Sequence, residues 1–205
     1  MKLHASTTSP FARKVNVVAL ETGLAERIQK IPAAAHPVNR SAALVAVNPL
    51  GQVPVLETDD GVVLYDSRVI CEYLDTLAGA AIFPAGAARW RALRDQSLAD
   101  GLLDAAILVR YETAVRPPEF LWESWRGGQW DKVVCSLDSF EADAGGLGQR
   151  VDIGTITLGC ALGYLDFRYA ASAWRDGRPR LAAWFARFSE RPSMVATKPS
   201  DPKPA

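Results

Sequence analysis

The chain has 205 residues, 49% of them hydrophobic, so it can bury a substantial core and form one large domain or two modest ones. Its 23 basic and 23 acidic residues cancel, which argues against binding to nucleic acid or acidic membranes through overall charge. The first residues, "MKLHASTTSP", lack the apolar segment of a secretion signal, and no run approaches membrane-spanning length. We expect a cytoplasmic protein.

The first 78 residues alternate strand patterns with helix patterns. The stretch "MKLHA" predicts a first strand, and "PFARKVNVVALETG" predicts a first helix that begins at Pro10 and ends before Gly23. A second strand, "ERIQKI", precedes a short helix, "SAALVAV". Asp60-Gly61 then predicts the turn of a hairpin that runs from Pro54 to Tyr65.

A third helix, "SRVICEYLDTLA", completes this part, because apolar residues recur there at intervals of three and four. These residues are Ile70, Tyr73, Leu74 and Leu77. The resulting order, βαβαββα, predicts a small α/β domain with a mixed sheet over residues 1–78.

The remainder of the chain is predicted to be helical, after a linker at residues 79–87. Helix patterns cover roughly residues 89–115, 119–143, 152–170 and 180–190, separated by Pro117-Pro118, "GGLG" and Gly177. The tail "KPSDPKPA" is rich in proline and predicts a surface segment without regular structure. We expect an all-helical domain over residues 88–205.

The three cysteines, Cys71, Cys135 and Cys160, are far apart in the chain and odd in number. Each lies in an apolar stretch with helical character, which predicts packing in the core. Reduced thiols are therefore expected.

Three polar stretches are placed where a predicted strand meets a helix or a turn, and the first contains Ser9. In "STTSPFARKV", Ser9 precedes Pro10 at the start of the first helix. A serine there can cap the helix by accepting a hydrogen bond from an exposed N–H group. It also holds a hydroxyl at the positive end of the helix dipole, which suits an anion such as a thiolate.

The second stretch, "YDSRVI", places Asp66 and Ser67 at the start of the third helix. One cap residue is enough for a helix. With two polar residues, Ser67 and the free N–H groups can bind a carboxylate while Asp66 pairs with an ammonium group. This combination suits the zwitterionic end of an amino acid.

The third stretch, "NPLGQVPVLET", has Pro54 at the entrance of a strand, where it cannot donate a backbone hydrogen bond. One explanation is a strand start, since the first residue of a strand tolerates proline. The other is a cis-proline turn that directs the backbone of Val53 outward, towards a ligand.

The order and spacing of these stretches resemble the glutathione transferase superfamily: "SPFARKV" near residue 10, "NPLGQVPVL" near residue 50 and "DS" at residues 66 and 67. "RPSMVATKP" near the end is similar to the family's usual finish. Members join a thioredoxin-like βαβαββα domain to an all-helical C-terminal domain, and the resemblance extends over nearly the whole chain. It implies a bacterial, serine-type glutathione transferase with glutathione as co-substrate and no metal.

For the binding site, the resemblance implies a cis bond before Pro54, with the Val53 backbone binding the cysteine of glutathione like an added strand. Asp66 and Ser67 match the pair that binds the γ-glutamyl end. Gln52 matches a polar position near the tripeptide. For the glycyl carboxylate the family often uses a basic residue near the second helix, and no motif selects one in this chain; His36 and Arg40 are nearby.

Ser9 stands where omega-type members have cysteine and tau-type members have serine, so the resemblance implies that it stabilises the thiolate. The absence of cysteine before Cys71 argues against the thiol-transferase branch. "TTS" replaces the Ser-Ser-Cys signature of zeta-type isomerases. Ser6, Thr7 and Thr8 remain alternatives to Ser9.

One departure from the family pattern concerns the central helix of the second domain, which usually opens with Ser/Thr-x-x-Asp. Here the corresponding stretch is "DIGT", with Asp152 first and Thr155 fourth. Asp152 can still cap the helix by accepting a hydrogen bond from the Thr155 N–H. The reversal concerns folding rather than catalysis.

Two functional classes remain. The first is an enzyme of detoxification that activates glutathione for attack on a small hydrophobic electrophile or a hydroperoxide, with Phe11 and Tyr111 as candidates for the second-substrate pocket. The second is a non-catalytic glutathione-binding or regulatory protein with the same fold. The resemblance also implies a homodimer in which the helical domain contributes much of the interface.

Overall fold

The computed structural model describes residues 1–201, which form two compact units. The first unit contains Met1–Arg89 together with the segment that begins at Pro192, and the second contains Trp90–Arg191. Residues 192–201 thus join the first unit, whereas the boundaries expected from the sequence group them with the helical domain. Residues 198–201 lack regular structure, as predicted for the tail, and the rest of the tail, residues 202–205, lies outside the described residues.

The first unit has the predicted βαβαββα order. Its elements are β1 (Lys2–Ala5), α1 (Pro10–Glu21), β2 (Gln29–Pro32), α2 (Ala42–Val47), β3 (Val55–Glu57), β4 (Val63–Leu64) and α3 (Ser67–Ala78). The sheet has the order β2-β1-β3-β4, in which β1 and β2 are parallel and the other neighbours are antiparallel. The mixed sheet predicted from the sequence is therefore confirmed.

The core of this unit lies where α1 and α3 pack against each other and the sheet. Leu3 and Leu56 are fully buried on the strands, and Val15, Ile70 and Leu74 are fully buried on the helices. Burial of one such side chain stabilises a fold by about 1.5–3 kcal/mol. These apolar positions therefore fix the orientation of the helices whose first residues carry Ser9 and Asp66.

A short helix, α9 (Pro192–Ala196), packs against α1 and completes the first unit. The guanidinium of Arg13 donates to the Met194 carbonyl at 3.0 Å, and the Ser193 hydroxyl donates to the Glu21 carboxylate. The segment that follows α9 accepts a hydrogen bond from the Thr7 hydroxyl. The end of the described chain thus holds both ends of α1.

The remaining helices are α4 (Ala87–Ala114), α5 (Glu123–Ala142), α6 (Ala144–Leu147), α7 (Ile153–Arg168) and α8 (Pro179–Phe188). The predicted helix over residues 119–143 begins late, at Glu123, and Pro118–Phe120 forms only a 3-10 turn. The reason is Pro117-Pro118, since proline removes backbone donors and restricts the residue before it. Among residues 1–201, no helix has the length and apolar character needed to cross a membrane.

Helix α7 is the centre of the helical unit, with every residue from Ile153 to Leu165 buried. The predicted cap is present and is reciprocal. The Thr155 N–H donates to Asp152 Oδ1 and the Asp152 N–H donates to Thr155 Oγ1, both at 3.0 Å. The reversed Asp-x-x-Thr order therefore forms a complete capping box.

The cap of α7 is tied to α4 by a buried ionic network. Arg150 donates to Asp152 at 2.8 Å and to Asp95 at 3.1 Å, and Asp95 is only 1% exposed. Asp95 also accepts from Arg94 at 2.7 Å, so its negative charge has two cationic partners. Paired in this way, a buried carboxylate can be tolerated in the core.

The prediction that all three cysteines lie in the core is wrong for Cys135. Cys71 and Cys160 are buried, but Cys135 is exposed on α5. Apolar residues flank Cys135 in the sequence, yet the buried face of the helix is formed by Val133, Ser136 and Leu137. Apolar neighbours therefore did not reveal which way the cysteine faces.

Candidate functional site

The three polar stretches selected from the sequence lie at the same end of the sheet. Because β1 and β4 both run antiparallel to β3, the residues that follow β1 and β4 lie beside those that precede β3. Leu56 of β3 is paired with Leu3 and Leu64. The residues that follow β1 and β4, among them Ser9 and Ser67, therefore belong to the same end of the sheet as Val53, which precedes β3.

The Val53-Pro54 peptide bond is cis, as the second explanation for this proline expects. Pro54 is buried and Val53 is half-buried. Within residues 1–201, neither the N–H nor the C=O of Val53 has a hydrogen-bond partner. The backbone at Val53 thus has the free donor and acceptor that an extended peptide ligand requires.

Asn48 fixes the loop before Val53, a role that the sequence reasoning missed. Its side-chain amide donates to the Gln52 carbonyl at 2.9 Å, and its Oδ1 accepts from the Leu50 N–H at 3.0 Å. Gly51, at φ +64°, completes the turn by donating its N–H to the Asn48 carbonyl. The Asn-Pro pair is a local signal for such a turn. Asn48 binds only the backbone carbonyl of Gln52, and Gln52 itself is exposed.

Ser9 differs from the hydroxyl-bearing residues that precede it. Its Oγ accepts from the Ala12 N–H at 3.2 Å, as an N-cap does, and no acceptor for its own proton is found within residues 1–201. The Ser6 and Thr8 hydroxyls bind each other at 2.9 Å, and the Thr7 hydroxyl donates to a backbone carbonyl at 3.0 Å. Ser9 therefore combines a position at the helix N-terminus with a proton to donate.

Asp66 and Ser67 open α3, where the preceding Tyr65-Asp66 bond is also cis. Asp66 is the N-cap and accepts from the Arg68 N–H at 2.9 Å, but the residue itself is exposed. Ser67 is only 2% exposed, and its hydroxyl has no hydrogen-bond partner among residues 1–201. The pair thus offers an exposed carboxylate next to a hydroxyl and N–H groups.

Arg40 and His36 differ in what their side chains already bind. Nδ1 of His36 accepts from two backbone N–H groups, at 2.9 and 3.2 Å, and holds its own loop. Arg40 is exposed and donates to the Pro49 carbonyl, beside the turn that precedes Gln52. Its guanidinium has no carboxylate partner within residues 1–201. Arg40 is therefore the better placed cation for an anionic ligand of this loop.

The two candidates for a second-substrate pocket lie in different units. Phe11 is half-buried in the first turn of α1, with the Lys14 ammonium 5.8 Å from its ring centre. Tyr111 is half-buried in α4, where burial raises the pKa of its phenol. Among the described residues, no group of three or more His, Cys, Asp and Glu side chains is arranged to hold a metal ion.

Comparison with known proteins yields relatives over the whole length of the chain. The family described as "Glutathione S-transferase, N-terminal domain" matches residues 8–77, and "Glutathione S-transferase, C-terminal domain" matches residues 84–187. The uncharacterized GST-like protein YibF of Escherichia coli K12 is 36% identical, over 97% of this chain and 98% of its own.

Two solved structures of a glutathione transferase family member from Pseudomonas fluorescens Pf-5 are also similar. The one with bound glutathione is 47% identical, with a TM-score of 0.95 over 98% of this chain and 99% of that one. The one with bound S-(propanoic acid)-glutathione is 46% identical, with a TM-score of 0.90 over 97% of this chain and 99% of that one.

Proposed function

Because the chain belongs to the glutathione S-transferase family, we propose that it is a glutathione transferase that activates the thiol of glutathione for attack on a small electrophile or a hydroperoxide. The observation that carries the proposal is the free proton of the Ser9 hydroxyl at the N-terminus of α1. The relative from Pseudomonas fluorescens holds glutathione in one structure and S-(propanoic acid)-glutathione in the other. These structures support the proposal that the present chain binds glutathione and a sulfur-substituted glutathione.

In the proposed complex, the cysteine of glutathione pairs with the free N–H and C=O of Val53 in the manner of an added strand. Asp66 binds the γ-glutamyl ammonium, and Ser67 binds the γ-glutamyl carboxylate together with the first N–H groups of α3. Gln52 binds the backbone of the tripeptide, and Arg40 binds the glycyl carboxylate.

In the proposed reaction, Ser9 donates a hydrogen bond to the sulfur of glutathione and favours loss of the thiol proton to water. The thiolate then attacks the electrophile, so that a sulfur–carbon bond forms and the leaving group departs with its bonding electrons. Ser9 acts as a donor rather than a nucleophile, since no base among residues 1–201 accepts its proton.

The proposal is tested by titrating glutathione into the protein in a calorimeter and assaying turnover with several electrophiles and a hydroperoxide. Binding together with turnover supports the transferase. Binding without turnover of any substrate would favour a non-catalytic glutathione-binding or regulatory protein. Absence of binding at millimolar glutathione would overturn both functions.

A first prediction separates ligand binding from helix capping at the start of α3. Asp66→Asn keeps a good N-cap residue but removes the charge that pairs with the ammonium. Ser67→Ala removes a hydroxyl that has no partner within residues 1–201. Each variant should weaken glutathione binding by about 1–3 kcal/mol, since each loses a charge-assisted hydrogen bond. Calorimetry measures the affinity.

Thermal unfolding measures the stability of the same variants. The unfolding midpoint of Asp66→Asn should stay close to that of the wild type, because asparagine and aspartate cap helices about equally well. Unchanged glutathione affinity in both variants would show that Asp66 and Ser67 serve only the fold.

A second prediction is that the protein is a homodimer. Trp90 and Leu108 are exposed on α4 and separated by five helical turns, so they lie on one face of the helix. The family resemblance implies the dimer, and these two side chains are candidates for its interface. Sedimentation at micromolar concentration should give twice the 22.2 kDa of one chain. A single-chain mass in the wild type would contradict the prediction, and Trp90→Glu should shift the dimer towards that mass.

A further inference from the structure

Arg13 on α1 is a buried cation whose hydrogen-bond partners are all neutral. The residue is only 7% exposed. Its guanidinium donates from Nη2 to the Met194 carbonyl of α9 at 3.0 Å and from Nε to the hydroxyl of Thr197, just after α9, at 3.4 Å. Nη1 is buried and has no hydrogen-bond partner within residues 1–201. The guanidinium thus keeps both its full charge and one unused donor group.

No carboxylate among the described residues neutralises the charge of Arg13. The acidic side chains of α1 and α3 have other partners: Glu21 accepts from the Ser193 hydroxyl, Glu72 from Arg89, and Asp75 from the N–H groups of Ile82 and Phe83. The remaining charged side chains of α1, of α3 and of the segments beside them are Lys14, Glu26, Arg27, Arg68, Lys198 and Asp201. A buried charge without a counter-ion is costly, and an anion bound nearby would offset that cost.

Arg13 lies one helical turn from Ser9. Its backbone N–H donates to the Ser9 carbonyl at 3.0 Å, the bond that joins residues four apart in a helix. Residues at this spacing in a helix are about 5–6 Å apart at Cβ. Each Cα–Cβ bond of a helix also tilts towards the helix N-terminus. The side chain of Arg13 therefore leaves α1 in the direction of the turn that begins at Ser9.

The segment that binds the guanidinium runs antiparallel to α1 and reaches the loop before Ser9. Its hydrogen bonds follow one another along this part of the chain: Ser193 binds Glu21, Met194 and Thr197 bind Arg13, and Ser200 binds Thr7. Within this segment Met194 is only 1% exposed. Because the segment covers the guanidinium, water and salt screen its charge much less than they screen a charge on the surface.

We propose that the buried charge of Arg13 stabilises the thiolate of glutathione at the start of α1, together with the Ser9 hydroxyl and the helix N-terminus. Arg13 contacts no reacting atom in this arrangement and acts only through its charge. That charge acts strongly because the effective dielectric constant near a protein group is about 20, against about 80 in water. The inference rests on the proposed function, since the anion that it requires is the thiolate of bound glutathione.

The test titrates the thiolate absorbance of bound glutathione against pH in the wild type and in Arg13→Met. A nearby cation favours the ionised thiol and lowers its pKa, so loss of the Arg13 charge should raise the pKa by about one unit. The pH–rate profile should move to alkaline pH by the same amount. Turnover at neutral pH should fall about threefold or more, through kcat rather than KM for glutathione. Arg13→Lys keeps the charge and should restore most of the shift.

Two control variants separate the charge of Arg13 from its role in packing. Ser193→Ala removes the hydroxyl that binds Glu21 and weakens the attachment of α9 to α1 without a change of charge. Lys198→Met removes one positive charge from an exposed position of the same segment, where water screens it. Both variants should keep the wild-type thiol pKa. If Ser193→Ala raises the pKa as much as Arg13→Met does, the attachment of α9 is responsible and the inference is wrong.

The same titration distinguishes failure of this inference from failure of the proposed function. A lowered thiol pKa that is equal in the wild type and Arg13→Met would overturn the inference and leave the transferase function intact. A shift in Arg13→Met without turnover of any electrophile would support the inference and overturn the transferase function. A wild-type pKa equal to that of free glutathione would overturn both. If Arg13→Met fails to fold, Arg13→Gln, whose amide can still donate to the Met194 carbonyl, decides the outcome.

Discussion

Replacing Ser9 with alanine is expected to lower turnover near neutral pH tenfold or more, while glutathione still binds. A free thiol with a pKa of about 8.5 is only about 3% thiolate at pH 7. A hydrogen bond from a hydroxyl to an anion contributes about 1.5–3 kcal/mol, and a helix N-terminus adds about 0.3–1 kcal/mol. Together they can lower the thiol pKa by about two units, since one unit corresponds to about 1.4 kcal/mol.

The Ser9→Ala variant should raise the pKa of the bound thiol by about one to two units, because the helix N-terminus remains and only the hydroxyl is lost. Thiolate absorbance, titrated against pH in both proteins, measures this shift. The rate profile should move in the same direction, so the variant should approach wild-type turnover only at alkaline pH.

A control variant and a stability measurement accompany the Ser9 experiment. Thr8→Ala removes a hydroxyl that binds Ser6 in the same loop and should leave the thiol pKa unchanged. Ser9→Ala also loses an N-cap, so we expect its stability to fall by about 0.5–2 kcal/mol. Coincident titration curves for wild type and Ser9→Ala would show that Ser9 only caps α1.

Gly154→Ala is expected to destabilise the helical unit by about 1–3 kcal/mol, the usual cost of overpacking a core. A Cβ at this position would lie 2.7 Å from the Ala92 carbonyl oxygen and 2.7 Å from Asp95 Cβ. The first contact is with the backbone of α4, which cannot rotate away. The second is with the Cβ of Asp95, whose carboxylate binds Arg150 in the buried network. The unfolding midpoint should fall on the order of 5–10 °C.

The matched control is Gly101→Ala, the same substitution in α4. Gly101 is exposed, and a Cβ there would meet nothing within 4 Å. Alanine is a better helix former than glycine by about 1 kcal/mol, so this variant should be stabilised. Opposite signs for the two variants are expected in thermal or urea unfolding. Equal stability changes would show that α7 does not approach α4 as closely as the structure has it.

Features that depend on a few neighbouring residues were predictable from the sequence. A helix cap needs only a side-chain oxygen and an N–H three residues later, so the caps formed by Ser9 and Asp152 were predicted at the correct residues. The hairpin turn and the ends of the helices were predicted in the same way, from proline and glycine. The cis bond at Pro54 was one of two alternatives until the resemblance to a family favoured it.

Features that depend on distant contacts were not predictable. Cys135 faces solvent because of how α5 packs, and its apolar neighbours carry no information on that orientation. The bond from the Tyr169 hydroxyl to the Ala106 carbonyl joins residues 63 positions apart, and no local pattern predicts it. The role of Asn48 was predictable only in part. The Asn-Pro pair predicts a turn, but it does not predict the hydrogen bond from the Asn48 amide to the Gln52 carbonyl.

The return of α9 to the first unit has a consequence for how the protein is made. Synthesis on the ribosome releases the chain from its N-terminus, and domains generally fold as they emerge. Here α1 cannot acquire the bond from Arg13 to the Met194 carbonyl, or the bond from the Ser193 hydroxyl to Glu21, until the helical unit has also been synthesised. The first unit is therefore completed only after the helical unit has been translated. Until α9 has been synthesised, the face of α1 that α9 covers is exposed and accessible to chaperones.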